Sequence, residues 1–266
     1  MVSIVTVSIA AEAQPAKQPV IVLTNVHAHN DYEHTRPLFD ALDNGFGSVE
    51  ADIHFVDGQL LVAHERQDVQ TSRTLQSLYL DPLREIAKAN GGRVYAESSH
   101  SVQLLIDFKS KSALAWPPLQ KILASYSDIL SEFHSDGTSV TRAVTVVLSG
   151  ARPSAATLLR KDIRLAAIDG KMTELSTTIP LTLMPLVSAD WKESVHWDGT
   201  GTIPETEKQT LVGIVAKVHA QGRKLRFWGA PDNLATWREL QSAGVDYLNT
   251  DDLPGMRKFL THPDSQ

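Results

Sequence analysis

The sequence predicts a single (β/α)₈ TIM barrel, and three observations carry that prediction. Downstream of Pro19, eight β-branched and aliphatic runs alternate with helical patterns, the signature of parallel strands joined by crossover helices. Eight such repeats fit the usual length of this barrel, about 250 residues. Ionisable residues recur at the C-terminal ends of the runs, where a barrel of this type keeps its reactive groups. A doubly wound open sheet is the competing topology, but no glycine-rich turn follows the first run, which weakens a nucleotide-binding reading.

Strands are predicted at residues 20–26, 48–55, 104–109, 143–149, 164–168, 181–187, 224–228 and 245–249. Helices are clearest at 36–44, 81–90, 118–133, 154–161, 204–221 and 233–243. Several open with Pro or Asp and close near Gly, as helix ends prefer. His27, Glu50, Asp52, Asp107, Lys109, Asp169, Trp228 and Asp251 lie at or just beyond predicted strand ends, so they are expected to converge on one face.

Of the 266 residues, 42% are hydrophobic and 21% charged, ordinary globular composition with enough apolar mass for a large core. The net charge of −6 and the lack of any Lys/Arg run argue against binding to nucleic acid. There is no cysteine, so thiolate ligands, disulfides and cysteine nucleophiles are excluded and a metal site must use oxygen or imidazole. Residues 2–10 are apolar and Ala11-Glu12-Ala13 resembles a signal-peptidase site, so residues 1–18 read either as the remnant of a secretion signal, with a secreted or periplasmic location, or as a frayed terminus, and residues 19–266 as the barrel. No stretch is apolar for the ~20 residues a membrane span needs.

Within the second strand, Glu50 and Asp52 are two apart and therefore share a face, with His54 on the same side. Two anions in an apolar barrel mouth repel and are costly to desolvate, and a divalent cation relieves both penalties. Asp57-Gly58 predicts a tight turn, after which residues 59–65 return as a short hairpin arm that delivers His64 to the same mouth. In the third strand Asp107 and Lys109 share a face by the same period: Asp107 is a third candidate ligand, and Lys109 a cation for a phosphoryl oxygen.

Taken together, His27-Ala28-His29-Asn30-Asp31, Glu50-x-Asp52, the glycine turn with His64, and Asp107-x-Lys109 resemble the superfamily of glycerophosphodiester phosphodiesterases and phosphatidylinositol-specific phospholipases C. Leu148-Ser-Gly-Ala-Arg-Pro153, Phe227-Trp-Gly-Ala-Pro-Asp232 and Asn249-Thr-Asp-Asp252 are most similar to the branch named after altered inheritance of mitochondria protein 6. The resemblance implies a phosphoric diester hydrolase acting on a small-molecule or lipid phosphodiester, with His27 and His64 as acid/base residues and one divalent cation, Mg²⁺ or Ca²⁺, on Glu50, Asp52 and Asp107. Lys109 and Trp228 match pocket positions of the related sphingomyelinase D enzymes. His29 competes with His27 for the first histidine's role; the spacing His-x-x-Asn-Asp favours His27. His29, Asn30, Trp228 and Asn249 complete the expected substrate-binding set, and the Arg and Gly that follow the first histidine of the phosphodiesterases are missing.

Two rival readings remain. His27-x-His29 with Asp251 also fits an amidohydrolase-like metallohydrolase, although the fifth and sixth strands lack the histidines such enzymes use. A catalytically retired barrel that only binds a phosphorylated ligand is the non-enzymatic alternative. Trp191, His196 and Trp197 in the loop after the sixth strand are candidates for contact with substrate or transiently with a membrane surface, the alternative being that they pack their own loop.

Overall fold

In the computed structural model, which describes residues 20–262, the aliphatic runs become strands buried on both faces, as a parallel sheet requires. They are β1 (Val26–Ala28), β2 (Ser48–Val56), β3 (Val102–Phe108), β4 (Val144–Gly150), β5 (Ala167–Lys171), β6 (Leu186–Asp190), β7 (Lys224–Trp228) and β8 (Leu248–Thr250). Paired neighbours run β7-β6-β5-β4-β3-β2-β1-β8, all parallel, and a parallel bridge between Arg226 and Tyr247 brings β7 against β8 to close the ring. The (β/α)₈ barrel expected from the sequence is therefore the fold. The signal-like segment lies outside the described residues, and no described helix is long and apolar enough to cross a membrane.

The α-helices are α1 (Phe39–Asp43), α2 (Asp81–Ala89), α3 (Ser112–Ala124), α4 (Ala155–Leu158), α5 (Trp191–Ser194), α6 (Glu205–His219), α7 (Leu234–Ala243) and α8 (Leu253–Thr261); α5 and α6 both lie between β6 and β7, β5 and β6 are joined through the 3-10 helix Met172–Ser176, and α8 follows β8. Three differences from the sequence expectation have physical causes. The helix predicted at 118–133 ends at Ala124, because Glu132–His134 leaves to pair antiparallel with Ser139–Val140 and Ile163–Arg164 in a separate three-stranded sheet. That pairing also takes residues 163–164 out of the barrel and moves the start of β5 to Ala167. Residues 180–184 form a turn on the Pro180 carbonyl, which delays β6 to Leu186.

Alternation along each strand divides the barrel interior into layers. Leu105, Val147, Ala167, Leu186 and Tyr247 form a buried apolar cluster with Phe133. Two residues further along their strands stand Asp107, Ser149, Asp169, Ser188 and Asn249. The interior is thus apolar below and polar at the C-terminal mouth. The larger core lies between the outer strand faces and the helices.

Candidate active site

Glu50 and Asp52 rise from β2 on the inward lane, and the β2–β3 ladder places Asp52 directly opposite Asp107. Each of Glu50, Asp52 and Asp107 offers an oxygen within 4.8 Å of the other two. These three carboxylates line or adjoin a cavity of about 470 Å³ at the barrel mouth, shared by His29, His64, Lys109, Arg152, Asp169, Arg226 and Trp228. That volume lies within the usual range for a small-molecule site.

His64 arrives as the sequence predicts. Asp57 and Gly58, at φ 46° and 84°, make the left-handed two-residue turn that a tight hairpin needs, and Gln59–Val62 pairs back along β2. Its Nδ1 lies 3.2 Å from Asp52 Oδ2 and 3.0 Å from the Tyr32 hydroxyl. Tyr32 donates to the same Asp52 oxygen at 2.6 Å, and burial beside Asp52 keeps this phenol protonated. The Lys109 ammonium lies 3.0 Å from Asp52 and 2.7 Å from Asp107. Burial disfavours its charge, but these two carboxylates outweigh that and hold Lys109 above its ordinary range.

The two histidines of the first loop occupy different depths. His29 lines the cavity, and its Nδ1 donates to Asp251 Oδ1 at 2.9 Å. Burial opposes its charged form, yet the Asp251 bond and the Glu50 and Asp251 charges raise its pKa. Asp251 is fixed in turn by its backbone N–H donating to Asp232 at 2.8 Å. His27 lies one layer lower, fully buried and away from the cavity lining. Burial, then the Arg226 charge, lowers its pKa to about 4, so it is neutral. The neutral ring completes a directional chain: Gln103 donates to Ser48 at 2.9 Å, Ser48 to His27 Nδ1 at 2.7 Å, and His27 Nε2 to Glu50 at 3.2 Å. Both nitrogens of His27, the expected first acid/base residue, are thus engaged below the cavity, and His29 is the first-loop histidine that lines the mouth.

Asn30 and Asn249, expected to bind substrate, lie outside the cavity lining and support neighbours. Asn30 Oδ1 lies 2.7 Å from the Tyr32 hydroxyl, and Asn249 accepts from Arg226 at 3.2 Å. Trp228 lines the mouth, 45% exposed.

Arg226, which the sequence reading missed, crosses the interior at 3% exposure, 3.5 Å from Glu50 and 3.7 Å from Asp169, with Ser188 accepting at 3.0 Å. The signal was present: Arg226 precedes Trp228 by two in a buried strand, so it had to point inward. Burial disfavours the Glu50 charge, but the His27 hydrogen bond and Arg226 overcome this and hold its carboxyl well below the usual range. Burial and the Glu50 charge push Asp52 up to about 6.

The residues fit a hard divalent cation. The cluster is all oxygen, the donor set that Mg²⁺ and Ca²⁺ select. Asp52 Oδ1 is buried and accepts no hydrogen bond. Gly150, at φ 65°, keeps space beside Asp107, where a Cβ would fall 2.2 Å from Oδ1.

An acidic cluster and two histidines, His29 and His64, thus share the mouth of a (β/α)₈ barrel. The model of the AIM6-like phosphodiesterase domain matches residues 17–169, and that of the glycerophosphoryl diester phosphodiesterase family matches residues 224–254. The chain belongs to the AIM6-like phosphodiesterase family. It is 32% identical to altered inheritance of mitochondria protein 6 of Eremothecium gossypii, over 90% of this chain and 70% of that protein. It is 28% identical to the homologue of Arthroderma benhamiae, over 90% of this chain and 84% of that protein. Among solved structures, the glycerophosphodiester phosphodiesterase of Agrobacterium tumefaciens matches with a TM-score of 0.48 at 13% identity, over 88% of this chain and 99% of that one.

Proposed function

We propose that the protein cleaves a glycerophosphodiester or lipid-derived phosphodiester with one divalent cation, Mg²⁺ or Ca²⁺, held by Glu50, Asp52 and Asp107. The observation that supports this reading most is the convergence of three carboxylate oxygens within 4.8 Å beside a cavity lined by His29 and His64. The bound cation supplies electrostatic stabilisation of charge growing on the phosphoryl oxygens.

The chain's own residues do the remainder. Water or a neighbouring substrate hydroxyl attacks phosphorus; one imidazole of the His29/His64 pair takes its proton, and the other protonates the alkoxide that leaves as the P–O bond breaks. Asp251 fixes the His29 ring with Nδ1–H donated, so Nε2 is the atom that exchanges the proton. Lys109 and Arg226 supply positive charge for the diester anion, replacing the Arg missing after the first histidine. Trp228 walls the leaving-group side.

The test is turnover of glycerophosphocholine, lysophospholipids and bis(p-nitrophenyl) phosphate with Mg²⁺ or Ca²⁺ against a chelated control. Chelator-sensitive cleavage is expected, abolished in Glu50→Gln and reduced about 10²–10⁴-fold in His64→Ala. No turnover on any of them would instead favour a retired, ligand-binding barrel.

A further inference from the structure

The ring of helices around the barrel is thin beside α3. Between β4 and β5 the crossover is a single turn, the four residues of α4, whereas α3 beside it has 13. A cavity of about 480 Å³ fills the gap, with Trp116, Leu123, Leu158 and Leu165 among its apolar walls. Arg164 also lines it. This residue is 5% exposed, yet its Nε and Nη1 find no hydrogen-bond partner, and Nη2 reaches only the His134 carbonyl at 3.4 Å.

A guanidinium always carries its charge, and burying it without a counter-ion is strongly unfavourable. The walls hold two further cations, Lys121 and Lys161, and no carboxylate, in a chain whose net charge is −6. Apolar walls with an unpartnered buried cation match a ligand with an apolar tail and an anionic head. Arg164 sits where the outer face of the barrel begins, on the strand Ile163–Arg164 that leads into β5, so this cavity is separate from the mouth. We propose that the gap beside α4 binds an amphipathic anion: a medium-length acyl or alkyl chain ending in a carboxylate or phosphate, its head on Arg164.

Titration calorimetry of the full chain with decanoate, decyl phosphate, decanol and decyltrimethylammonium, all below their micellar concentrations, tests this. At least one of the two anions is expected to bind at least tenfold tighter than decanol, with the quaternary amine weakest; the tighter anion identifies the head group. Arg164→Met should erase the preference over decanol, a loss on the order of tenfold or more, since charge-assisted contacts are the strong ones. Ala124→Trp, which fills the cavity from α3, should abolish binding of all four while leaving the circular dichroism spectrum and phosphodiester turnover unchanged, and it decides the matter alone if Arg164→Met does not fold. Equal affinity for anions and decanol, an undiminished preference in Arg164→Met, or full binding in a folded Ala124→Trp would overturn the proposal.

Discussion

His27 and His29 share a face, and only their depth separates their chemistry. His27 lies in β1 and His29 one residue past its end, its N–H still bonded to the Thr250 carbonyl at 3.0 Å, so the period of two that identified Glu50 and Asp52 from sequence gives the histidines equal standing. Depth depends on the stagger between strands, here the pairing of Ala28 with Val49, and stagger is not written in any one segment. Kinetics should separate the pair. His29→Ala is expected to lower kcat about 10²–10⁴-fold at any cation concentration, because a proton carrier is lost. His27→Ala removes the hydrogen bond that aims Glu50, so it should weaken cation affinity about 10–100-fold and recover much of its rate when the ion is raised. Cation titrations of kcat for both variants check this, and equal, unrecoverable losses would show that His27 carries a proton after all. The inward direction of Arg226 follows from the same alternation, two residues before Trp228 in a buried strand.

At the scale of elements, the loop after β1 is the most constrained. Leu38 takes φ 67°, ψ −52°, and Phe39 N–H bonds the Pro37 carbonyl at 2.8 Å, a three-residue turn of the strained hand. The carboxyl of Asp31 anchors it, accepting from Leu38 N–H at 2.6 Å and from the Tyr79 hydroxyl at 2.9 Å. Burial pushes the Asp31 pKa up to about 7. The folded state therefore keeps this proton over a range where the unfolded chain, with Asp near its usual ~4, has released it, so stability falls as pH rises from about 4 to 7 and is level beyond. Relative to Asp31→Asn, the wild type should lose on the order of 2–4 kcal/mol across that interval. Urea unfolding of both proteins from pH 4 to 8 measures the difference, and a constant gap would mean that Asp31 ionises normally.

Element identity was largely legible, because β-branched runs bounded by turns state their type locally. Element ends were not. The helix predicted at 118–133 and the fifth strand predicted at 164–168 were both cut by the small antiparallel sheet, whose pairing of Phe133 with Arg164 joins residues about thirty positions apart and leaves no local trace. The predicted helix at 154–161 shrank to α4 after its Ser154 cap, because the chain must turn early to reach Ile163.

For the whole molecule, the barrel and its acidic cluster are one construction. The candidate ligands come from β2 and β3, which meet only when the intervening hairpin, α2 and their loops have folded. Cation binding should therefore stabilise the entire fold: at a free concentration of 100 times Kd the gain is about 2.7 kcal/mol, which for a chain of this size raises Tm by about 5–10 °C. Scanning calorimetry with and without Mg²⁺ or Ca²⁺ reads this, with Glu50→Gln expected to show no shift. An equal shift in that variant would place the ion elsewhere. The alignment of Asp52 with Asp107 across adjacent strands carries a practical corollary. A polypeptide mis-threaded by a single rung sends one carboxylate outward among the helices, however native its helical content, so in any purified batch the number of high-affinity ion sites per chain counts the correctly assembled molecules.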